Sequence, residues 1–202
     1  MRGGSEVVER SSAGAPPTPA IRVEAVAVLE PSAVDICWAM YRDAFEPLRA
    51  KAATRHVMYE DEFGEAMRDP RLEKLVGLDR DGRPIGMALL TKDLRAIPWI
   101  SPEFFADRYP EATARGAVTY VGFVLVGPAH QGGLLFSKLV QRMSAPIAAE
   151  GGVVGFDMCT FNASVIRLPE AILRAIRRRS AASERVEDVQ TFYALQLSEK
   201  ER

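Results

Sequence analysis

The hydrophobic and polar positions of this chain predict a mixed α/β protein, because alternating segments and segments of helical period follow one another. Alternation over Ile21–Leu29 predicts a half-buried strand. A helix is predicted from Pro31 to near Pro47, with its apolar face formed by Val34, Trp38, Tyr41 and Phe45. A second helix is predicted over Thr54–Arg68, since Asp69-Pro70 would end it.

Two strands and a long connection are predicted in the middle of the chain. The strands are Leu72–Leu78 and Ile85–Leu90, and Asp79–Gly82 between them is typical of a hairpin turn because Asp and Gly tolerate positive φ. The connection Leu94–Ala114 is rich in Pro and aromatic residues. Within it we expect a short helix, Glu103–Arg108, capped by Ser101.

The C-terminal half continues the alternation of strands and helices. Its predicted elements are strand Ala117–Val126, helix Leu134–Ala149, strand Val153–Cys159, helix Ala171–Arg179 and strand Val189–Leu197. The long helix is supported by an apolar face of Phe136, Val140, Met143 and Ile147. The whole order predicts a single sheet with helices on its faces.

A glycine-rich turn joins the strand ending at Val126 to the helix that follows it. The strand breaks at Gly127-Pro128, and Gln131-Gly132-Gly133 leads directly into the helical pattern. Such a turn directs several unpaired backbone N–H groups at one point, next to the positive end of the helix dipole. These residues therefore predict a pyrophosphate site and a nucleotide-type cofactor. The alternative is a plain turn that packs the helix against the strand.

Composition narrows the class of protein. The 202 residues favour one domain, which we place at 21–197 between a disordered tail at 1–20 and a short tail at 198–202. A formal net charge of −1 argues against nucleic-acid and membrane-surface partners. No segment has the roughly 20 apolar residues of a membrane span. Cys37, Cys159 and two histidines make neither a disulfide framework nor a zinc site, so we expect a cytoplasmic protein without a metal.

The element order and the glycine turn resemble the GNAT family of acyl-CoA-dependent N-acyltransferases over about Ile21–Leu197. The family's phosphate loop has Gln or Arg, two free positions, Gly, one free position, and Gly or Ala, often after a Pro. Pro128 and Gln131 match, whereas Leu134 and Phe136 stand where the family has its small residues. The resemblance implies a mixed, mostly antiparallel twisted sheet of six to seven strands, helices on both faces, and a splay between the fourth and fifth strands.

The same resemblance implies a cofactor, acetyl-CoA or another acyl-CoA, and places its contacts. Backbone groups of the fourth strand would bond the cofactor arm, with Gly122 positioned for a bulge that starts the splay. Phe136 would crowd the phosphate site. Where many members carry a Tyr that protonates the thiolate, this chain has Pro169-Glu170. The implied cofactor-binding residues are Val124, Leu125, Val126, Gln131, Gly132, Gly133, Leu134, Leu135, Phe136 and Asn162.

Acyl transfer to an amine needs a base, donors for the oxyanion and an acid for the leaving thiolate. Tyr120 and Glu103 are candidates for the base, and Tyr193 for the missing acid. The candidate bases have structural alternatives: Tyr120 as a sheet residue with its hydroxyl in water, and Glu103, like Glu111 in the same connection, as a surface carboxylate.

Four further features admit more than one interpretation. His130 could meet a phosphate or be merely exposed, and Cys159 could be a nucleophile or a small core residue. The arginines of the predicted last helix could reach a cofactor phosphate or form a solvated helix end; they are Arg174, Arg177, Arg178 and Arg179. The aromatic residues of Ala96–Tyr109 could wall an acceptor pocket, or pin the loop to the sheet, or form a dimer contact.

These observations predict an N-acyltransferase that moves an acetyl or other short acyl group to an amine of a small molecule or peptide. Direct transfer in a ternary complex is expected because no covalent nucleophile is evident. The alternatives are a non-catalytic acyl-CoA-binding domain and a protein-interaction module that uses the aromatic loop. A homodimer is compatible with each of these three functions.

Overall fold

The structure, a computed structural model, describes residues 21–53, 55 and 57–197, so both predicted tails lie outside the described residues. Its strands are β1 (Arg22–Val26), β2 (Glu73–Leu78), β3 (Pro84–Thr91), β4 (Val118–Val126) and β5 (Val153–Phe156). Its helices are α1 (Pro31–Phe45), α2 (Glu60–Arg68), α3 (Pro102–Arg108), α4 (Pro110–Ala114), α5 (Leu135–Ala149) and α6 (Leu168–Ile176). No helix among these is long and apolar enough to cross a membrane.

The five strands form one mixed sheet in the order β1-β2-β3-β4-β5. Strands β1, β2, β3 and β4 pair with one another in antiparallel orientation, and β5 pairs with β4 in parallel orientation. The mixed, mostly antiparallel sheet is therefore confirmed, with five strands in the described residues instead of six or seven. The predicted strand Val189–Leu197 is wrong, since this segment pairs with no strand of the described chain. Its alternating pattern suits a strand, but a strand also needs an edge to pair with.

Several element boundaries differ from the predicted ones. Helix α2 begins at Glu60 because the Glu62 carboxylate accepts a hydrogen bond from the Tyr59 N–H (2.8 Å) and caps the helix there. The start predicted at Thr54 lies outside the described residues. Strand β5 ends at Phe156, three residues before the predicted end, and the chain then enters a π-helical turn, Phe161–Val165.

A β-bulge at Gly122 reverses the alternation of side chains along β4. Leu90 pairs with Val121 and the adjacent Leu89 pairs with Phe123, so Gly122 is the extra residue. Before the bulge, Tyr120 faces the α1–α2 side of the sheet; after it, Phe123 does so. Without the extra residue, the period of two would turn Phe123 to the opposite face.

Each face of the sheet carries its own hydrophobic core. On the face covered by α1 and α2, aromatic rings pack around Tyr41, whose ring centroid lies 5.1 Å from that of Phe63 and 5.0 Å from that of Phe123. On the other face, α5 buries Leu135, Leu139, Met143 and Ile147. Phe136, predicted for this face, is only half-buried because the buried stripe centres one residue earlier.

Leu135 fixes how closely the start of α5 approaches the sheet. Its side chain is fully buried over Gly77 and Gly86, which pair with each other in β2 and β3. A Cβ at Gly77 would lie 2.5 Å from the Leu135 Cδ1, and a Cβ at Gly86 would lie 2.9 Å from its Cδ2. The two glycines therefore form the depression that receives this leucine.

A buried lysine joins two connections at the other end of β2. The Lys74 ammonium donates to the carbonyl oxygens of Ala27 (2.7 Å) and Asp69 (2.6 Å). Burial lowers the pKa of Lys74 to about 8, while the charge of Asp69 opposes the shift. The neutral amine keeps enough N–H groups for both bonds, so these contacts are compatible with either protonation state.

We expect Leu135→Ala to lower the free energy of unfolding by about 2–5 kcal/mol, because it empties the depression over the glycine pair. The neighbouring Leu134 is 61% exposed, so Leu134→Ala is a matched control with an expected change within about 0.5 kcal/mol. Urea denaturation of both variants measures the difference. Equal losses would contradict this packing of α5.

We expect a pH dependence of stability from Lys74. Its folded-state pKa is lowered from 10.5 to about 8, so the unfolded chain binds more protons between these values. Stability then rises with pH in this window, by at most about 1.4 kcal/mol per pH unit from this group. Urea denaturation at several pH values should show a smaller rise in Lys74→Met than in the wild type. An identical slope in both proteins would contradict the assignment.

Candidate functional site

Strands β4 and β5 separate halfway along β4 and form a fork. The parallel pairing covers only Val118–Val121 of β4 and Val153–Phe156 of β5. Beyond it, β4 continues through Val126 in pairing with β3, while the chain after Phe156 leaves the sheet. One edge of β4 is therefore unpaired by the sheet from the bulge to the glycine turn.

A tyrosine and a carboxylate meet at the base of this fork. The Tyr120 hydroxyl donates a hydrogen bond to the Asp157 carboxylate, in the residue that directly follows β5. Tyr120 pairs with Gly155, which lies two residues before Asp157 and so on the same face. A Cβ at Gly155 would lie 3.1 Å from the Tyr120 ring, so the absence of a side chain at this position leaves room for the phenol to reach the carboxylate.

Aromatic residues of the long connection surround this pair. Phe105 packs edge-on against Tyr120, with 6.4 Å between ring centroids. Burial and the hydrogen bond to the Asp157 carboxylate raise the pKa of Tyr120 far above its ordinary value, and a hydrogen bond with Trp99 acts in the opposite direction. The phenol consequently keeps its proton at neutral pH. Tyr120 is almost fully buried, whereas Trp99 is 56% exposed and Asp157 is exposed.

Sequence reasoning missed Asp157 because the fifth strand was predicted to continue to Cys159. A signal was present: Gly155 and Asp157 share strand parity, and a polar residue at the end of a parallel strand is well placed for a site. The partner of Asp157 could not be found the same way, because it depends on the pairing of two strands.

The glycine turn lies at the far end of the unpaired edge of β4. Gly127 donates to the Ile85 carbonyl (2.9 Å), a 3₁₀ turn covers Pro128–His130, and Gly132 adopts a positive φ of 78°. A left-handed residue at this point reverses the chain into α5, which glycine permits without strain. In the described part of the chain, no backbone carbonyl accepts from the N–H groups of Gly132 or of Leu134 to Phe136.

The residues of this turn differ in how exposed they are and in which of their groups a ligand could contact. Gln131, Gly132, Gly133 and Leu134 are exposed, and Phe136 is half-buried. Leu135 was predicted to bind a cofactor, but its side chain belongs to the core, so only its backbone N–H can take that role. Val124 and Val126 are half-buried and Leu125 is buried, which likewise limits them to backbone contacts at the strand edge.

A groove with basic walls lies between the start of α5 and the end of α6. It has a volume of about 310 Å³ and is lined by Leu134, Ser137, Lys138, Gln141, Arg178 and Arg179. Lys138 donates to the Ile21 carbonyl (2.8 Å), and Arg177 points to the Ala182 carbonyl instead (3.2 Å). Tertiary structure thus brings Arg178 and Arg179 beside the glycine turn, although 45 residues separate Gly133 from Arg178.

The other predicted site residues lie in three different parts of the fold. Glu103 is exposed in the first turn of α3 and accepts from the Ser101 hydroxyl (3.2 Å). Tyr193 is 88% exposed in the C-terminal segment, which has no regular secondary structure. Asn162 is half-buried in the π-helical turn after β5. Their functional roles remain predictions.

The remaining candidates lie in the connections before and after β4 and after β5. His130 is half-buried in the 3₁₀ turn before the glycines, Glu111 is exposed in α4, and Cys159 is half-buried after β5. Within the described ranges, no three His, Cys, Asp or Glu side chains cluster as metal ligands. Two residues of the aromatic connection have different environments. Phe105 packs against the sheet, whereas Trp99 is exposed beside Tyr120.

No protein-family model matches the sequence, and no curated protein is significantly similar to it. Solved structures do align with it. The tetramutant of the BH1408 protein from Bacillus halodurans aligns at a TM-score of 0.54 with 12% identity, covering 86% of this chain and 99% of that one. A putative acetyltransferase from Pyrococcus horikoshii aligns at 0.51 with 14% identity, covering 75% and 88%.

An aminoglycoside acetyltransferase from an uncultured soil sample, solved with sisomicin, covers 87% of this chain and 97% of its own at 13% identity. Its TM-score of 0.47 is too low to support an argument. At such identities the likeness concerns the fold and not the substrate. The fork, the glycine turn and the order of elements agree with the two alignments at TM-scores of 0.54 and 0.51, and the chain therefore has the fold of the GNAT acetyltransferases.

Proposed function

We propose that this protein is an acyl-CoA-dependent N-acyltransferase that transfers an acetyl or other short acyl group directly to an amine. The observation that carries the proposal is the continuity of the site. The unpaired edge of β4 runs from the Tyr120–Asp157 pair to the glycine turn, over five residues or roughly 17 Å. One end offers a carboxylate for an amine, and the other offers amide donors for a diphosphate.

The residues at the glycine turn suit the anionic part of acyl-CoA. Amides of Gly132, Leu134, Leu135 and Phe136 would hold the diphosphate, and Arg178 and Arg179 would neutralise further phosphate charge. Leu134 is exposed in the groove wall, so it does not fill the turn. Gln131 and Asn162 remain candidate polar contacts.

The strand edge suits the arm of the same molecule. Backbone groups at Val124, Leu125 and Val126 would bond its amides as a further strand would, because β5 no longer occupies that edge. The bound thioester supplies the activated acyl group. A backbone N–H near the Gly122 bulge would stabilise the negative charge that develops on the acyl oxygen.

Asp157 is the group we assign to the acceptor amine. Its carboxylate attracts the ammonium and takes its proton, directly or through water, before attack. Tyr120 was the sequence-based candidate for this base, but its raised pKa suits a donor that orients Asp157. Trp99, exposed beside the pair, would contact the acceptor.

The acid for the leaving thiolate remains the least defined role. Tyr193 is still the sequence-based candidate. Because it is exposed, it could act as this acid only if the C-terminal segment moved to the fork between β4 and β5. A thiol with a pKa near 8.5 also departs as the thiolate at modest cost, so an acid is not essential.

Binding without transfer is a second candidate function, favoured by one observation. Leu134 and Phe136 replace the small residues of the family loop, and Phe136 is half-buried beside the turn. A sensor of acyl-CoA would bind the cofactor yet release no thiol with any amine, which separates it from the enzyme.

We expect thiol release from acetyl-CoA to accelerate in the presence of a suitable amine. A panel of small polyamines, amino sugars and peptides with free N-termini would be followed with a thiol reagent, with acetyl-CoA hydrolysis as the background. Binding without amine-dependent release supports the sensor, and absence of both would overturn the proposed function.

We expect Gly133→Glu to abolish cofactor binding, because it places a carboxylate among the amide donors. The matched control is Ala145→Glu, which adds the same charge to the exposed side of α5 about 18 Å along the helix. Calorimetry with acetyl-CoA and free CoA measures both affinities. Unchanged affinity of the folded Gly133→Glu protein would contradict the phosphate site.

We expect Asp157→Asn to lower kcat/KM for the amine by at least about tenfold while the affinity for CoA stays unchanged. Tyr120→Phe should give a smaller loss, because the carboxylate remains but is no longer oriented by the phenol. Asp35→Asn, on the exposed side of α1, is the control. A fully active Asp157→Asn enzyme would remove Asp157 from the mechanism.

A further inference from the structure

Trp99 is held at the tip of a tight turn in the aromatic connection. The Ile100 N–H donates to the Ile97 carbonyl (3.2 Å) and closes a β-turn with Trp99 at its third position. Ile97 is buried before the turn, and the Ser101 hydroxyl after it accepts from the Phe104 N–H (3.2 Å) and begins α3. Both ends of the turn are therefore anchored, although the Trp99 side chain is 56% exposed.

Trp99 and Asp157 share a hydrogen-bond partner. The indole N–H bonds to the Tyr120 hydroxyl, whose own proton is donated to the Asp157 carboxylate. Since each hydrogen bond spans about 3 Å, the indole nitrogen lies within roughly 6 Å of the nearer carboxylate oxygen. Trp99 and Asp157 are both exposed, so an apolar ring and a negative charge are accessible next to each other.

A second exposed ring is joined to Tyr120 through Phe105. Phe105 packs edge-on against Tyr120, and Phe104 packs edge-on against Phe105 with 5.6 Å between their ring centroids. Phe104 is 40% exposed. Trp99, Tyr120, Phe105 and Phe104 thus form one aromatic cluster, of which the two outer rings are open to solvent.

The carboxylates near this cluster do not gather into an acidic site. Glu187 accepts from Arg108 Nε (2.8 Å) and from the Tyr109 hydroxyl at the end of α3. Glu103 accepts from the Ser101 hydroxyl (3.2 Å) at the start of the same helix. Among the residues that the structure describes, no three acidic, His or Cys side chains come together as they would around a metal ion. An acceptor with several ammonium groups would need several carboxylates close together.

We propose that the acceptor is a primary amine with one positive charge and an aromatic ring. A linker of about two or three carbon atoms, each C–C bond covering about 1.5 Å, lets the ring stack on the indole while the ammonium contacts Asp157. This acceptor class rests on the proposed function, because it names the substrate of the same site. Trp99 is then the residue that determines specificity.

The transfer proceeds with this acceptor as follows. The ammonium gives one proton to Asp157, and the neutral nitrogen forms a bond to the acyl carbon. The bond from that carbon to sulfur breaks, and the sulfur leaves with the electron pair. The nitrogen gives up its second proton to the thiolate or to water, which leaves an amide and CoA.

The test compares amine-dependent thiol release for 2-phenylethylamine, n-hexylamine and 1,4-diaminobutane with acetyl-CoA as donor. We expect kcat/KM for 2-phenylethylamine to exceed both other values by at least about fivefold. Trp99→Leu should bring this ratio close to one. Trp99→Phe is the matched variant, because it loses the same indole N–H yet keeps a ring, and it should retain the preference. Calorimetry with CoA verifies that both variants are folded.

The outcomes separate the acceptor class from the proposed function. Equal kcat/KM for the three amines, or a preference for the diamine, would overturn the aromatic acceptor and leave the acyltransferase in place. A preference that persists in Trp99→Leu would remove Trp99 as its source.

Thiol release with no amine would overturn the proposed function alone. In that case the affinities of the CoA-bound protein for 2-phenylethylamine and n-hexylamine, measured by calorimetry, test the aromatic cluster. Tighter binding of the aromatic amine would support the cluster as its site in a sensor. Equal affinities, or no binding of either amine, would overturn this inference as well.

Discussion

The β-bulge at Gly122 is the constraint on which the geometry of the site depends. The extra residue turns Phe123 into the aromatic core on the α1–α2 side. The pairing of β4 with β5 ends just before it, at Val121 and Phe156. From that point one side of β4 stays bonded to β3 while its other edge is unpaired by the sheet. The same backbone irregularity thus accompanies a continuous core on one side and an accessible strand edge on the other.

The close approach of α5 to the sheet is the second condition. The buried Leu135 rests over Gly77 and Gly86, so the helix begins immediately beyond the end of β4. Its first N–H groups, which have no partner within the helix, consequently lie in line with the unpaired strand edge. Arg178 and Arg179, which follow α6, line a groove together with Leu134 and Lys138. The packing of Leu135 in the core therefore determines where the unpaired N–H groups at the start of α5 lie on the surface.

Small residues at three sheet positions serve different purposes in this arrangement. Gly77 and Gly86 make room for a leucine, and Gly155 makes room for two aromatic rings. Because Gly155 has no side chain, Tyr120 lies across β5 and reaches Asp157 with its hydroxyl. The cost is an edge strand in which one of four positions carries no side chain.

The sequence by itself determined five of the six described α-helices approximately, three of the five strands nearly to their ends, the hairpin at Gly82 and the glycine turn, because local periodicity and turn chemistry specify them. The family resemblance also placed a bulge at Gly122, where the register of β3 and β4 shifts. Only the tertiary structure decided that β5 stops at Phe156, that Asp157 meets Tyr120 and that Arg178 lines a groove with Leu134. Tyr120 and Asp157 are 37 residues apart, and their contact depends on strand register and on the space left by Gly155, which no local pattern encodes.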